Sequence, residues 1–390
     1  MLALTFIVLI FGLQYFHRQL LHRLLPKGYD RWVTPVLILI HVPLALYMGI
    51  RLTGNAGWLQ WLRPLSRAGL YFQILSAFNL VMWLLSEGLW RLRHLWKPQP
   101  GQPPEDPARR TFLRQTTAAG VGLASYGVLA GRREAHGDPD VVHLQLYFPD
   151  LPPGMDGLRI AQISDLHAGP LVKAPLVARW RTLVQAERPE MLLLTGDVTD
   201  SIPEEAGIVE EAFRNFPAPL GRYAILGNHD YFTDPRPIWK ILERTGFQCL
   251  ENRWAYVYRN GSRMALVGLQ DPMARHGHFR DIRYGPGPSP KIATEGLPAD
   301  TWRLCLSHRP SDWPLARQTG ARLTLSGHTH GGQINLIPFV NSALLLGPYA
   351  QGIYRKDGDV LYVNRGLGVV ALPVRIGAPP EITLITLRRR

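Results

Sequence analysis

Five short motifs in the last two thirds of the chain carry side chains that can bind divalent metal ions. Each motif follows a short apolar run typical of a buried strand. In open α/β sheets, ligands collect beyond the carboxyl ends of the strands, so we predict that all five motifs meet at one site. The motifs are Asp165-Leu166-His167, Gly196-Asp197-Val198-Thr199-Asp200, Gly227-Asn228-His229-Asp230, Ser307-His308 and Gly327-His328-Thr329-His330.

The residue types and their spacing favour a pair of ions. Asp165 and His167 are two residues apart, so both can reach one ion from a single turn. Gly196 allows the tight turn that would aim Asp197 into the crevice. A carboxylate that bridges two ions holds them roughly 3.5–4 Å apart, the separation used for in-line displacement at phosphorus. Oxygen and imidazole ligands suit divalent Mn, Fe or Zn, so we predict two such ions.

The residues around His229 have different expected roles. Asn228 offers a neutral amide oxygen to an ion, whereas His229 is better placed to contact the substrate or leaving group. Asp230 could orient the His229 ring, as carboxylates often do for imidazoles near metals. Asp200 is expected in a turn or a supporting position.

The elements that must position these motifs belong to an α/β domain from about residue 140 onward. Apolar spacing predicts helices over residues 172–187, 203–216 and 235–245, the last starting with prolines suited to a helix N-terminus. Strands and helices alternate, which predicts a sheet or a pair of sheets flanked by helices. The predicted strands are residues 158–164, 191–195, 222–226, 264–268, 302–306, 321–325, 359–363 and 381–387.

The first part of the chain has the composition of a membrane region. At 390 residues the chain is expected to hold two regions. Residues 1–137 contain fifteen Lys and Arg against five acidic residues, and so carry +10 of the net +13. We assign this excess to membrane-flanking loops, and we expect no nucleic-acid partner. Residues 2–16, 33–50 and 70–90 are the predicted transmembrane helices, the alternative being buried helices of a soluble domain.

A fourth apolar segment follows a Pro-rich linker. Arg109 and Arg110 precede a weakly apolar stretch over residues 117–130, and the pattern resembles a twin-arginine export signal placed inside the chain. An ordinary fourth span is the alternative. With four spans and the Lys/Arg-rich loops inside, the catalytic domain would face the periplasm or exterior. The predicted regions are 1–96 (membrane), 97–139 (linker and fourth segment) and 140–390 (catalytic).

Taken in series, D-x-H, GDxxD, GNHD, H and GHTH resemble the calcineurin-like metallophosphoesterase superfamily, across roughly residues 140–390. GHTHGGQ, SDLHAGP and NRGLG look most like its bacterial membrane-associated branch. That branch includes twin-arginine-exported phosphoesterases and UDP-2,3-diacylglucosamine pyrophosphatase-like enzymes. The resemblance implies a four-layer α/β/β/α sandwich. It also implies Asp165, His167, Asp197 and His330 as ligands of a first ion, Asp197, Asn228, His308 and His328 as ligands of a second, and His229 near the leaving group.

The predicted function is a membrane-anchored, dinuclear-metal-dependent phosphoester hydrolase of the bacterial inner membrane. Hydroxide generated between the ions would attack phosphorus, and His229 or water would protonate the leaving oxygen. The membrane region and the apolar residues 334–346 favour a cell-envelope or lipid-linked phosphate as substrate. Residues 334–346 could also be a core strand and loop, and His276 and His278 either lie in a solvated loop or contact substrate.

Two alternatives remain open. A UDP-2,3-diacylglucosamine pyrophosphatase would need a site that faces the cytoplasm, which conflicts with the orientation predicted from the loop charges. A non-catalytic membrane sensor or scaffold with a vestigial site is disfavoured, because no ligand of the series is missing. The sequence does not predict the oligomeric state.

Overall fold

The computed structural model describes Pro35 and residues 107–232, 234–275, 283–335, 341–345, 347–370 and 372–390. The chain forms two compact units, residues 1–130 and 131–390. Apart from Pro35, the predicted spans 2–16, 33–50 and 70–90 lie outside the described residues. No helix within the described ranges combines the length and the apolar character needed to cross a membrane.

The described helices lie mostly in the second unit. The long helix α1 runs through the predicted export-signal-like segment, and its last residues, 131–136, belong to the second unit. Helix α4 has the predicted bounds, starting after the capping residue Asp234 and ending before Gly246 in the left-handed conformation. The helices are α1 (Pro107–His136), α2 (Ala174–Ala186), α3 (Ala206–Phe213), α4 (Pro235–Thr245), α5 (Pro290–Ala293) and α6 (Trp313–Gln318).

Twelve strands are described, and each strand predicted from the sequence coincides with one of them to within three residues. They are β1 (Asp140–Tyr147), β2 (Arg159–Ile163), β3 (Met191–Thr195), β4 (Arg222–Ile225), β5 (Gln248–Cys249), β6 (Arg253–Arg259), β7 (Ser262–Gly268), β8 (Arg303–Leu306), β9 (Leu323–Ser326), β10 (Gly352–Lys356), β11 (Asp359–Val363) and β12 (Glu381–Arg388).

The strands form two six-stranded sheets, ordered β1-β12-β2-β3-β4-β5 and β10-β11-β9-β8-β7-β6. Strands β2 to β5 run parallel, and so do β7, β8, β9 and β11. Strand β12 is antiparallel to β2, and the two edge strands β6 and β10 are antiparallel to their neighbours. Parallel strands end on the same side of a sheet, which lets residues after several strands share one crevice.

Three apolar cores fill the spaces between the layers. One core joins α2, α3 and α4 to the outer face of the first sheet, with Trp180 fully buried. A second fills the space between the sheets, where Leu193 of β3 and Leu325 of β9 both pack. A third joins α5 and α6 to the outer face of the second sheet. The second unit is therefore a four-layer α/β/β/α sandwich, as the resemblance implied.

Candidate metal centre

The five predicted motifs all follow the carboxyl ends of parallel strands. Three come after β2, β3 and β4 of the first sheet, and two come after β8 and β9 of the second. Of the eight predicted site residues, His229 and His328 are half-buried and the others are buried. The fold thus brings together side chains that are up to 165 positions apart in the sequence, Asp165 and His330 being the extremes.

The backbone at the site departs from ordinary strand and helix geometry. Left-handed backbone angles occur at five of the eight site residues, a conformation that side chains with a Cβ adopt rarely and at some cost in energy. Asp165, Asp197 and His328 each lie two residues beyond the end of a strand, so the chain turns there as β2, β3 and β9 end. The five are Asp165 (φ 52°), His167 (φ 45°), Asp197 (φ 52°), His328 (φ 72°) and His330 (φ 51°).

The ligand atoms form two clusters, and a third group, His167, Asp197 and His229, shares one residue with each of them. In the first, Asp165, His167 and His330 each offer an atom within 4.8 Å of the others. The Nε2 atoms of His167 and His330 lie 3.0 Å apart, and His330 Nε2 lies 3.5 Å from Asp165 Oδ1. The second cluster contains Asp197, His308 and His328, and here His308 Nε2 is within 3.3 Å of Asp197 Oδ2.

Asp197 lies between the two clusters. Its Oδ2 atom is 3.5 Å from His167 Nε2 in the first cluster and 3.3 Å from His308 Nε2 in the second. Asn228 joins the second cluster, since its Oδ1 atom is 3.2 Å from His308 Nε2. One carboxylate oxygen thus occupies the position from which a carboxylate could bridge two ions.

The donor set fits two divalent cations. It combines two buried carboxylates, one amide oxygen and four imidazoles, and such mixed oxygen and nitrogen sets suit Mn, Fe or Zn. Two ring nitrogens that face each other at 3.0 Å inside the protein can share at most one hydrogen, so a cation between them would satisfy both. In addition, His167 Nδ1 is buried and has no hydrogen-bond partner among the residues that the structure describes.

The carboxylates of the metal-free site differ in their affinity for protons. Burial raises the pKa of Asp165 to about 6. Burial would also raise the pKa of Asp197, but the imidazoles of His308 and His229 hold it well below its usual value. Conversely, burial would lower the pKa of His308, but the charge of Asp197 raises it to about 10. Without metal, Asp197 and His308 therefore form an ion pair.

The other imidazoles of the clusters are neutral at physiological pH. Burial lowers the pKa of His167 to about 3, and the nearby His229 adds to the effect. Burial likewise lowers the pKa of His328 to about 3 and holds the pKa of His330 well below its usual value. A neutral imidazole is the form that binds a metal ion, so these three rings need lose no proton on binding.

The ring of His229 is oriented by a backbone group and not by Asp230. His229 Nδ1 lies 2.9 Å from the carbonyl oxygen of Asp200. The carboxylate of Asp230 instead accepts hydrogen bonds from the backbone N–H groups of Val198, Thr199 and Gly227 at 2.9–3.2 Å. The expected role of Asp230 was thus wrong: it joins the GDxxD and GNHD loops.

An open cleft of about 310 Å³ lies over the two clusters. Ser342, Ala343 and Val370 form part of its wall, beside the candidate metal ligands. Residues 336–340 and 346 of the apolar segment lie outside the described part of the chain, as do His276 and His278.

Two residues that support the cleft were not predicted from the sequence. The amide of Gln333 accepts a hydrogen bond from Val370 N–H at 2.9 Å and donates to Val370 O at 2.9 Å, which fixes one wall. Arg375 is fully buried and lies 3.1 Å from His330 Nδ1. Gln333 ends the GHTHGGQ motif and could have been noticed there, whereas Arg375 follows Pro373 and Val374 in a stretch with no metal-binding pattern.

Comparison with known proteins identifies the class. The family profile described as calcineurin-like phosphoesterase matches residues 158–332. "Uncharacterized metallophosphoesterase YkuE" of Bacillus subtilis is 30% identical over 246 residues, which cover 61% of this chain and 82% of that protein. The chain therefore belongs to the calcineurin-like phosphoesterase family, and the predicted superfamily is confirmed.

Two animal relatives share a longer region. Both are called "Transmembrane protein with metallophosphoesterase domain". The Danio rerio protein is 32% identical over 288 residues, 71% of this chain and 63% of that protein. The Bos taurus protein is 29% identical over 296 residues, 73% of this chain and 64% of that protein. The chain thus spans slightly less than two thirds of the length of these two relatives.

Proposed function

We propose that this chain is a dinuclear-metal-dependent phosphoester hydrolase. The observation that carries the proposal is the position of Asp197 Oδ2, within 3.5 Å of His167 Nε2 and 3.3 Å of His308 Nε2. A carboxylate between two clusters of imidazole and oxygen ligands is the arrangement needed for a pair of ions. Membership of the calcineurin-like phosphoesterase family supports the same reaction class.

The proposed ligand sets follow the two clusters. The first ion would be held by the first cluster together with Asp197, and the second by the second cluster together with Asn228. Imidazole and carboxylate donors at these distances need only small side-chain movements to reach coordination distance. The proposed sets are Asp165, His167, Asp197 and His330 for the first ion, and Asp197, Asn228, His308 and His328 for the second.

The protein's own groups then divide the work of hydrolysis. When bound, the two ions would polarise the phosphoryl group and lower the pKa of the attacking water. The carbonyl of Asp200 keeps the Nδ1 hydrogen of His229 in place, so Nε2 is the ring atom available to pass a proton to the leaving oxygen. The backbone N–H of His229 donates to Asp197 Oδ1 at 2.8 Å, which couples the position of His229 to that of the shared carboxylate.

The proposed substrate is a cell-envelope or lipid-linked phosphoester, processed at a bacterial inner membrane by a domain that faces the periplasm or exterior. Two observations support this proposal. Ala343 and Val370 give the cleft an apolar side, and Leu344, beside Ala343, is 54% exposed. The two animal relatives carry the word "transmembrane" in their names, which supports membrane association. Whether residues 109–130 act as an export signal or as a span stays a prediction.

The site assignment is tested with the full 390-residue chain in detergent and added Mn²⁺. Asp197→Ala and His328→Ala should each abolish phosphoester turnover and lower the bound metal, while circular dichroism shows an intact fold. Asp357→Ala is the matched control, because this carboxylate is exposed and pairs with Arg317. Turnover that persists in Asp197→Ala would refute the assignment. Wild-type protein that purifies without stoichiometric metal would favour the scaffold alternative.

The substrate is tested by incubating the same protein with an envelope lipid extract spiked with UDP-2,3-diacylglucosamine. Products are identified by mass, with Asp197→Ala as the inactive control. Loss of another phosphorylated envelope species in wild type alone would support the proposal and identify the substrate. Release of UMP would instead establish the pyrophosphatase alternative and require a catalytic domain in the cytoplasm.

A further inference from the structure

Arg375 is a buried cation in contact with the backbone carbonyls of the loop that follows β11. Its Nε and Nη2 atoms donate to Gly368 O at 3.0 and 2.6 Å, and both Nη atoms lie 3.0 Å from Arg365 O. Nη1 also donates to Ala378 O at 2.9 Å and Nη2 to Gly366 O at 3.1 Å. The side chain is fully buried, so each of these bonds replaces a bond to water. One guanidinium therefore holds the backbone at residues 365, 366, 368 and 378.

The same guanidinium contacts a candidate metal ligand. Arg375 Nη2 lies 3.1 Å from His330 Nδ1, and Nη1 lies 3.4 Å from His330 O. His330 Nε2 is the ring atom that faces Asp165 and His167. Arg375 thus lies behind the ring, on the side opposite Nε2. If Nε2 binds an ion, the neutral ring carries its hydrogen on Nδ1, so Arg375 then holds His330 through the His330 carbonyl oxygen and not through Nδ1.

The group behind the His330 ring differs from those behind the rings of His308 and His229. His308 Nδ1 faces the carbonyl oxygen of Thr195 at 2.8 Å, and His229 Nδ1 faces that of Asp200 at 2.9 Å. A carbonyl behind a metal-binding imidazole is the usual arrangement. At His330 the group behind the ring is a guanidinium, and its removal would leave several carbonyl oxygens without donors, that of His330 among them.

The loop fixed by Arg375 also holds Asp165. Gly368 N–H donates to Asp165 O at 2.7 Å, and Leu367 N–H donates to Ser164 O at 2.9 Å. Arg375 therefore acts on two members of one cluster, Asp165 and His330. Within the described residues, its hydrogen bonds reach no side chain of the second cluster.

The end of α1 holds Arg375 in turn. Arg375 N–H donates to Gly131 O at 2.9 Å, and the side chain of Glu134 accepts from Ala378 N–H at 3.1 Å. A Cβ on Gly131 would lie 2.7 Å from Arg375 O and 2.6 Å from Val374 Cγ1, so only glycine permits this approach. A Cβ on Gly127, one turn earlier in the same helix, would meet no atom within 4 Å.

We propose that Arg375 is a positioning residue for the first ion, the one assigned to Asp165, His167, Asp197 and His330. The last turn of α1 fixes the backbone of Arg375 through the hydrogen bond from Arg375 N–H to Gly131 O. The catalytic unit thus includes residues 131–136 as part of the support of its metal centre. This inference rests on the proposed dinuclear site and adds to it the group that sets one of its two ion positions.

The test compares metal binding in the full chain in detergent, with Mn²⁺ as the probe. Wild type should bind two ions per chain and give the electron paramagnetic resonance signal of a spin-coupled pair. Arg375→Met should bind the first ion roughly 10- to 100-fold more weakly and give the signal of an isolated ion. Arg375→Lys, which keeps the charge and some of the donors, should recover part of the coupled signal. A merely structural role would lower the melting temperature without converting one signal into the other.

Gly131→Ala keeps the arginine but displaces its backbone, with Gly127→Ala as the matched control. The proposal expects loss of the coupled pair in Gly131→Ala alone, and this comparison decides the matter if Arg375→Met does not fold. A folded Arg375→Met with two ions bound at wild-type affinity would overturn the proposal, and so would identical Mn²⁺ binding in the two glycine variants. Wild type that binds two ions but hydrolyses no phosphoester would refute the proposed function alone, because the Mn²⁺ comparison still decides the role of Arg375.

Discussion

The Nδ1 atom of His229 lies 2.9 Å from the backbone carbonyl oxygen of Asp200. A carbonyl oxygen can only accept a hydrogen bond, so Nδ1 carries the hydrogen of the neutral ring. Nε2 is then the ring nitrogen without a hydrogen, which the proposed role in proton transfer requires. Since the acceptor belongs to the backbone, this orientation does not depend on the protonation state of a neighbouring carboxylate.

The first prediction concerns the leaving group. His229→Ala should lower turnover of an alkyl phosphoester by about 10²- to 10⁴-fold, because an alkoxide needs a proton as it departs. Turnover of a p-nitrophenyl ester should fall less, since nitrophenolate leaves without one. Bound metal should stay at the wild-type level, and the exposed His143→Ala serves as control. Equal losses for the two esters would exclude proton donation by His229.

The second prediction concerns Gly227. A Cβ at this position would collide with the carboxylate of Asp197 and lie 2.7 Å from His308 Cε1. Gly227→Ala should therefore weaken metal binding by roughly 10- to 100-fold. Gly207→Ala is the matched control: its Cβ meets nothing within 4 Å in α3, and it should stabilise the fold by about 0.5–1 kcal/mol. Calorimetric titration with Mn²⁺ and urea unfolding measure both effects, and wild-type affinity in Gly227→Ala would contradict the described packing.

The third prediction is a pH dependence of stability. Burial raises the pKa of Glu251 to about 8, although Tyr231 O–H and Leu226 N–H both donate to its carboxyl group. The folded state thus holds this proton more tightly than the unfolded state, in which a glutamate has a pKa of about 4.3. The stability that the protonated carboxyl group contributes is fully present below about pH 4.3 and is lost as the pH rises through 8.

Glu251→Gln removes this titration. We compare the free energy of unfolding of wild type with that of Glu251→Gln. The difference, wild type minus variant, should fall by up to a few kcal/mol between pH 5 and pH 9, at about 1.4 kcal/mol per pH unit. Urea unfolding of both proteins in the same buffers measures the difference, and contributions from other groups cancel to first order. A difference that stays constant over this range would show that Glu251 is ionised throughout.

The fourth prediction concerns metal and pH together. Asp165, with a pKa of about 6, and His308, with a pKa of about 10, must lose protons before they can bind an ion. The apparent affinity for Mn²⁺ should therefore rise with pH between 5 and 9, by up to about tenfold per unit for each proton released. Chelation should lower the melting temperature, and added Mn²⁺ should restore it. An affinity independent of pH would contradict the protonation states of the metal-free site.

The sequence alone predicted the elements that local pattern specifies. The runs MLLLT and DVLYV became β3 and β11 with the predicted bounds, because fully apolar or alternating stretches bounded by polar turns have few other stable states. The predicted helix over 203–216 formed only as a short turn, Pro203–Glu205, followed by α3. The side chain of Glu205 accepts from Ser201 and Ile202 N–H and so shapes this turn, which apolar spacing does not reveal.

The metal-binding residue types and their order were also evident in the sequence, because ion-binding groups follow strand after strand. Their arrangement in space was decided by the tertiary structure. The backbone N–H of His328 lies 3.0 Å from both carboxylate oxygens of Asp165, a contact across 163 positions that no local pattern encodes. The left-handed turns also depend on the tertiary structure, because packing of the surrounding sheets and loops offsets the conformational energy that such backbone angles cost. The carbonyl oxygens that accept from Arg375 belong to His330 and to residues 365, 366, 368 and 378, so these hydrogen bonds form only once distant parts of the chain have come together.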